Sequence, residues 1–361
     1  MQRRARELKR WGAGVVIGTA CAVPGCGSAP GEIFDTASTA HQWPPAPDQP
    51  RVRYIGQLAS DEDLKAGVGF FEQVARAIAG KEPARGMVSP LGVCTDGGDR
   101  VFVADSGAGC VVMFDLSART MEQWRAPAGE RALGQVVAVA YDGAWDGGRG
   151  RVLAADSLEG RIVGFDRDGK WLGALRTGDL RRPCGLAVDP RGGRVLVVDS
   201  AAHQVVVLAM DGRELKRIGE RGSGLGQFNF PTGVALSASG LMLVSDSLNF
   251  RVQVFDPDLR PIRQIGRKGD MPGYFAQPKG VGVDSEGHVY VVDANFEAVQ
   301  LFSVDGELLM TFGREGQGPG EFWLPAGIHV SERGVMRRIW IADSYNKRVQ
   351  VFDYLREEPR R

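Results

Sequence analysis

From about residue 87 to residue 355 the chain is written in short apolar runs separated by Gly and Asp. Runs such as Val289-Tyr-Val-Val and Leu243-Val-Ser-Asp246 are apolar at consecutive positions, the pattern of strands covered on both faces. They recur in a fixed order: an apolar strand, a Gly/Asp turn, a second strand ending in Asp, and a third ending in Phe-Asp. One copy reads Pro231-Thr-Gly233-Val-Ala-Leu, Leu243-Val-Ser-Asp246, Arg251-Val-Gln-Val-Phe-Asp256. Another reads Pro325-Ala-Gly327-Ile-His-Val, Trp340-Ile-Ala-Asp343, Arg348-Val-Gln-Val-Phe-Asp353.

The aspartates that end the second strands are Asp105, Asp156, Asp199, Asp246, Asp293 and Asp343, spaced by 51, 43, 47, 47 and 50 residues. Each period accommodates a four-stranded antiparallel blade, and six such blades close a ring. An all-β, six-bladed β-propeller is therefore predicted over 87–355. Asp-Ser after a second strand is expected to bond the following amides and fix the tight turn to the third. Before the last three repeats comes a Gly-rich connector ending in an aromatic and Pro, as in GREGQGPGEFWLP over 313–325. Connector, P-x-G-V start and R-V-Q-V-F-D strand together resemble the NHL repeat. The resemblance is specific in blades four to six, good in one and three, and degenerate in two, where Val136 and Ala138 replace Pro and Gly.

The sixth repeat stops at its third strand. Val52-Arg-Tyr-Ile-Gly56 matches the fourth-strand pattern of Leu215-Lys-Arg-Ile-Gly219, so residues 51–58 are expected to supply the outer strand of the last blade. Between that strand and the first blade, Leu64, Val68, Phe71, Val74, Ala75 and Ile78 share one face of a predicted amphipathic helix over 60–80, capped by Ser60 or Asp61. Upstream, Arg3, Arg4, Arg6, Lys9 and Arg10 precede a short apolar stretch, the order of an export signal over 1–25. Val23-Pro-Gly-Cys26 resembles a bacterial lipobox, which makes Cys26 the expected lipidation site; the sequence before Cys21 matches less well. Residues 26–50, with five Pro, read as a flexible tether.

Composition adds turns and subtracts partners. Fifty Gly in 361 residues fit many tight turns. Lys+Arg and Asp+Glu both total 44, which leaves no basic footprint for nucleic acid. The connector cations Arg221, Arg267, Lys268 and Arg314 are interleaved with Glu220, Asp270, Glu315 and Glu321, which cancels most of their attraction.

The peptidyl-hydroxyglycine amidating lyase, a related propeller family, binds zinc through histidines at the x of P-x-G-like starts. Those positions here are Leu91, Val137, Cys184, Thr232, Lys279 and Ala326, none of them His. The gluconolactonase-like propellers need a central carboxylate set around calcium. The carboxylates of innermost strands here, Asp96, Asp189 and Asp284, fall at strand ends inside turn sequences. No metal, cofactor or catalytic residue is assigned. The expected function is that of an exported, lipid-anchored binding scaffold of the outer membrane or periplasm. It would recognise an envelope protein, a peptide or a glycan through the loop face, and the alternative is a hydrolase or lyase in the central channel. Candidate contacts are His203, Phe250, Phe296, Tyr345 and Lys347 on the b–c loops, with Lys279 and Cys184 at the channel rim. Glu159 lies on the same predicted face.

Overall fold

The computed structural model describes residues 31–65, 85–189, 191–334 and 336–355. The expected export signal, Cys21, Cys26 and most of the 60–80 segment lie outside them. At the start of that segment, Ser60 caps a 3-10 turn over Asp61–Leu64, and Lys65 has already left helical geometry at ψ 127°.

From Glu32 onward the chain forms one unit, a ring of six antiparallel blades. Blade four shows the plan, with strands a to d running from the channel outward: Pro231–Leu236, Met242–Asp246, Arg251–Phe255 and Pro261–Ile265. The consecutive apolar residues of strands b and c are fully buried because both faces of each sheet meet a neighbouring blade. The buried apolar side chains gather into clusters that each span two blades. Val198 of blade three and Phe228 of the connector after it, for example, pack with Val244 and Phe255 of blade four.

In the last sheet, segments far apart in sequence pair. Pro325–Arg333, Met336–Asp343 and Arg348–Tyr354 are followed in the sheet by Val52–Leu58, with Val52 opposite Tyr354 and Leu58 opposite Val349. Gln42–Trp43 pairs outside Val52–Leu58 as a fifth strand. Residues 32–50 thus do not run off the ring as a tether. Phe34 is buried against Trp340 with ring centroids 5.8 Å apart, and Trp43 packs on Phe312 and Phe352. Two apolar anchors in a Pro-rich stretch are enough to hold it down.

The second-strand aspartates act at longer range than a local turn requires. Asp105 accepts from Val88 N and Ser89 N at 2.7 and 2.8 Å, and Asp199 from Arg181 N and Arg182 N at 2.9 and 2.8 Å. Asp343 accepts from Trp323 N at 2.8 Å, and also from Arg348, Asn346 and Gln350. Each buried carboxylate is a strut that ties the connector to the blade it enters. Charge-assisted hydrogen bonds of this kind contribute about 1.5–3 kcal/mol each. The Ser that follows reaches onward: Ser247 Oγ donates to Pro278 O at 2.7 Å, and Ser344 Oγ to Pro90 O at 2.6 Å, across the seam from blade six to blade one.

The P-x-G start has its own physical cause. Innermost strands approach so closely that a Cβ on Gly280 would stand 2.4 Å from Ala326 O, and one on Gly327 would stand 2.3 Å from Leu91 O.

Candidate functional site

The P-x-G segment leaves the regular ladder. In blade five Pro278 pairs with Asp293, and the next pair is Val281 with Val291, so Lys279 and Gly280 sit in an irregularity. The same break follows Pro183, Pro231 and Pro325. Such bulges re-aim side chains, and here the x residues line the mouth of the central channel.

That mouth encloses a cavity of about 320 Å³. Its polar lining comprises Gln135, Ser157, Arg182, Cys184, Thr232 and Lys279, with apolar walls from Leu91, Val137, Leu186 and Ala326. No Asp or Glu lines it. Burial pushes the Lys279 ammonium below its usual range. Thr232 Oγ1 donates to Lys279 O at 3.0 Å, and the Cys184 thiol contacts Thr232 O at 3.4 Å. Burial also drives the Cys184 thiol up to about 12, so it stays a hydrogen-bonded thiol and not a nucleophilic thiolate. Cys94 and Cys110 are likewise free and buried.

Toward the opposite end of the channel lies a second cavity of about 230 Å³, with Thr95, Tyr141 and His329 among its lining. His329 Nε2 lies 3.1 Å from Thr95 Oγ1, and burial lowers its pKa to about 4.

The NHL-repeat family model matches residues 180–208 and 228–255, the inner three strands of blade three and the corresponding part of blade four. The chain is an NHL-repeat propeller. No curated protein matches its sequence. Among solved structures it is similar to virginiamycin B lyase from Staphylococcus aureus, at 14% identity over 74% of this chain and 96% of that one, with a TM-score of 0.52. An auxiliary nutrient binding protein from Bacteroides thetaiotaomicron is 12% identical over 74% and 69% of the two chains, with a TM-score of 0.58. A gluconolactonase from Xanthomonas campestris is 17% identical over 74% and 87%, with a TM-score of 0.56. Binding proteins and enzymes share this fold, so the likeness concerns architecture alone.

On the mouth face of the NHL propeller the expected contacts divide. Tyr345 is 58% exposed and leans on Trp323, itself 43% exposed, with centroids 5.5 Å apart. Lys347 is exposed at the tip of the same turn. Phe250 is half-buried beneath the Lys268 ammonium, 5.0 Å from its ring, and Phe296 is half-buried. Glu159 is half-buried and paired with Arg131.

His203 is corrected outright: it is only 8% exposed, its Nδ1 accepts from Phe230 N at 3.2 Å, and its ring meets Phe230 edge-on at 4.6 Å. It caps the connector and is not a free loop-face contact. Sequence reasoning missed Trp323, Phe230 and Arg182. The signal for all three was available, since they occupy the one or two positions before the P-x-G proline in blades six, four and three. Among the described residues, no group of three or more His, Cys, Asp or Glu side chains is arranged to hold a metal ion.

Proposed function

We propose that this propeller is an extracytoplasmic binding scaffold that recognises a protein, peptide or glycan partner through the face carrying the channel mouth. The observation that carries the reading is the exposed Trp323–Tyr345 pair beside an open channel, mounted on backbone pinned by the Asp343 strut. Exposed aromatics on rigid loops are the usual anchors of an interface. Val52–Leu58 is taken as the strand that closes the last blade, so that this face is held by a continuous ring. Cys26 is taken as the lipidated residue that keeps the propeller at the envelope membrane, with no nucleic-acid partner.

Trp323→Ala combined with Tyr345→Ala should cut capture of an envelope partner at least tenfold while leaving the thermal melt unchanged. Both rings are exposed, and neither belongs to the buried clusters that fill the seams. Undiminished capture by the folded double variant would move the binding surface elsewhere. For the anchor, Cys26→Ser should abolish palmitate labelling and Cys21→Ser should not, and labelling that persists in the Cys26 variant refutes the assignment.

A further inference from the structure

We propose that the channel mouth is a subsite for a carboxylate carried on an apolar body, of the kind found at the C-terminus of a peptide, with Lys279 as its inner partner and Arg182 at the rim. The proposal rests on the loop-face reading above and specifies what part of the partner enters the ring.

The lining carries two cations and no carboxylate. The six strut aspartates are all engaged by connector amides, as Asp199 is by Arg181 N and Arg182 N, and Asp156, Asp246 and Asp343 are also paired with Arg161, Arg251 and Arg348 of the third strands. Neither Lys279 nor Arg182 has a side-chain ion partner among the described residues. A half-buried ammonium without a counter-charge destabilises the empty molecule, because burial penalises the charged form. The fold does not need a cation there: the same position carries Leu91, Val137, Thr232 and Ala326 in other blades. An entering anion would supply the missing charge, and beside a half-buried ammonium its attraction is stronger than in bulk water.

The walls bear on the rest of the ligand. Leu91, Val137, Leu186 and Ala326 present aliphatic side chains that an apolar body can cover and that offer nothing to a sugar hydroxyl. A cavity of about 320 Å³ falls at the small end of ligand sites, the size for a terminal residue and not for a folded domain. Arg182, exposed at the entrance, can take one carboxylate oxygen while its fork matches the planar group. The exposed Trp323 and Tyr345 then meet the residues upstream of the terminus.

The test titrates the purified full chain by calorimetry with three probes: N-acetyl-leucyl-leucine as the free acid, its C-terminal amide, and glucuronate. The free acid should bind at least tenfold more tightly than the amide and than glucuronate. Lys279→Met should erase the preference for the acid and raise the melting temperature of the empty protein, whereas Lys279→Arg should retain the preference. Equal binding of acid and amide, or a preference that survives Lys279→Met, overturns the subsite. A lowered melting temperature in Lys279→Met shows that the lysine is structural and also overturns it. Glucuronate binding as well as the dipeptide acid overturns the apolar half of the proposal. If Lys279→Met does not fold, Lys279→Gln provides the same comparison. Failure of these probes, with capture still lost in the Trp323/Tyr345 double variant, removes the subsite and leaves the loop-face reading standing.

Discussion

Deleting residues 51–58 tests how the ring is held shut. Blade six packs on blade one through an apolar cluster that joins Ile55, Leu58, Trp340 and Val349 to Val93, Val101 and Val103. On the inside of that seam Ser344 Oγ bonds Pro90 O and Gly327 packs on Leu91 O; at the outer edge Val52–Leu58 pairs with Arg348–Tyr354. The deletion leaves the inner seam and removes the outer strand. Val52, Ile55 and Leu58 are each at most 2% exposed. Burial of such side chains contributes about 1.5–3 kcal/mol apiece, so the three together account for about 5–9 kcal/mol, an upper range because unfolded chains already bury some surface. A domain is typically stable by about 5–15 kcal/mol, and the loss is therefore comparable to the whole. Loss of pairing on Arg348–Tyr354 and of the Tyr54–Phe352 contact at 5.6 Å adds to it. Urea and thermal unfolding of the truncated chain should show a large fall in midpoint. A synthetic peptide spanning 41–58 should restore it in a concentration-dependent way, since a ligand bound only by the folded state stabilises by mass action. A truncated chain that melts with the intact one would show that the inner seam alone closes the ring.

Two further outcomes follow from the channel. Gly280→Ala should lower the unfolding free energy read from urea titration by about 1–3 kcal/mol, the usual range for overpacking, because its Cβ would stand 2.4 Å from Ala326 O and 3.0 Å from Ile328 N; an unchanged unfolding curve would mean that the inner strands can separate. His329, half-buried in the channel and held by desolvation at about 4 against an ordinary 6.5, is neutral in the folded ring, so its stabilising contribution is complete above pH 6.5 and is lost as pH falls toward 4. The melting temperature of the wild type relative to His329→Gln should therefore fall between pH 7 and pH 4, and a difference independent of pH would show that folding does not favour the neutral imidazole.

Much of the ring was legible because its seams repeat. The same apolar positions recur in six segments, and a repeat cannot bury its faces without neighbours on both sides. What the sequence concealed are contacts that cross the period. Asp246 reads as a local turn former, yet its carboxylate holds Asn229 N, 17 residues upstream, at 2.7 Å. Asp284 does form its expected turn, accepting from Glu286 N and His288 N. It also accepts from Tyr290 Oη at 2.9 Å and pairs with Arg337 of the next blade at 2.8 Å. That second role needs Arg337 to lie opposite, which no single repeat reveals. Lys279 was visible as an x residue, but its isolation from any carboxylate emerges only when six x positions are brought around one axis.

The loop face owes its capacity to vary to the same struts. At the tip of each b–c turn the chain passes through a left-handed residue just before the third strand. In blades one and two this residue is Gly109 or Gly160; in the others it is His203, Phe250, Glu297 and Lys347, with φ between 51° and 57°. A non-glycine residue in that region is disfavoured by about 1 kcal/mol or more. It persists only where the surroundings fix the backbone. Here the preceding aspartate and the amides of the connector do so, regardless of what side chain the tip carries. Backbone geometry is thus repeated six times while the side chains displayed on it range from imidazole to phenyl, carboxylate and ammonium. A folded frame that tolerates such substitutions at strained positions separates stability from display: changes at Lys347 or Tyr345 alter what the face offers a partner, and changes at Asp343 or Arg348 alter whether there is a face at all.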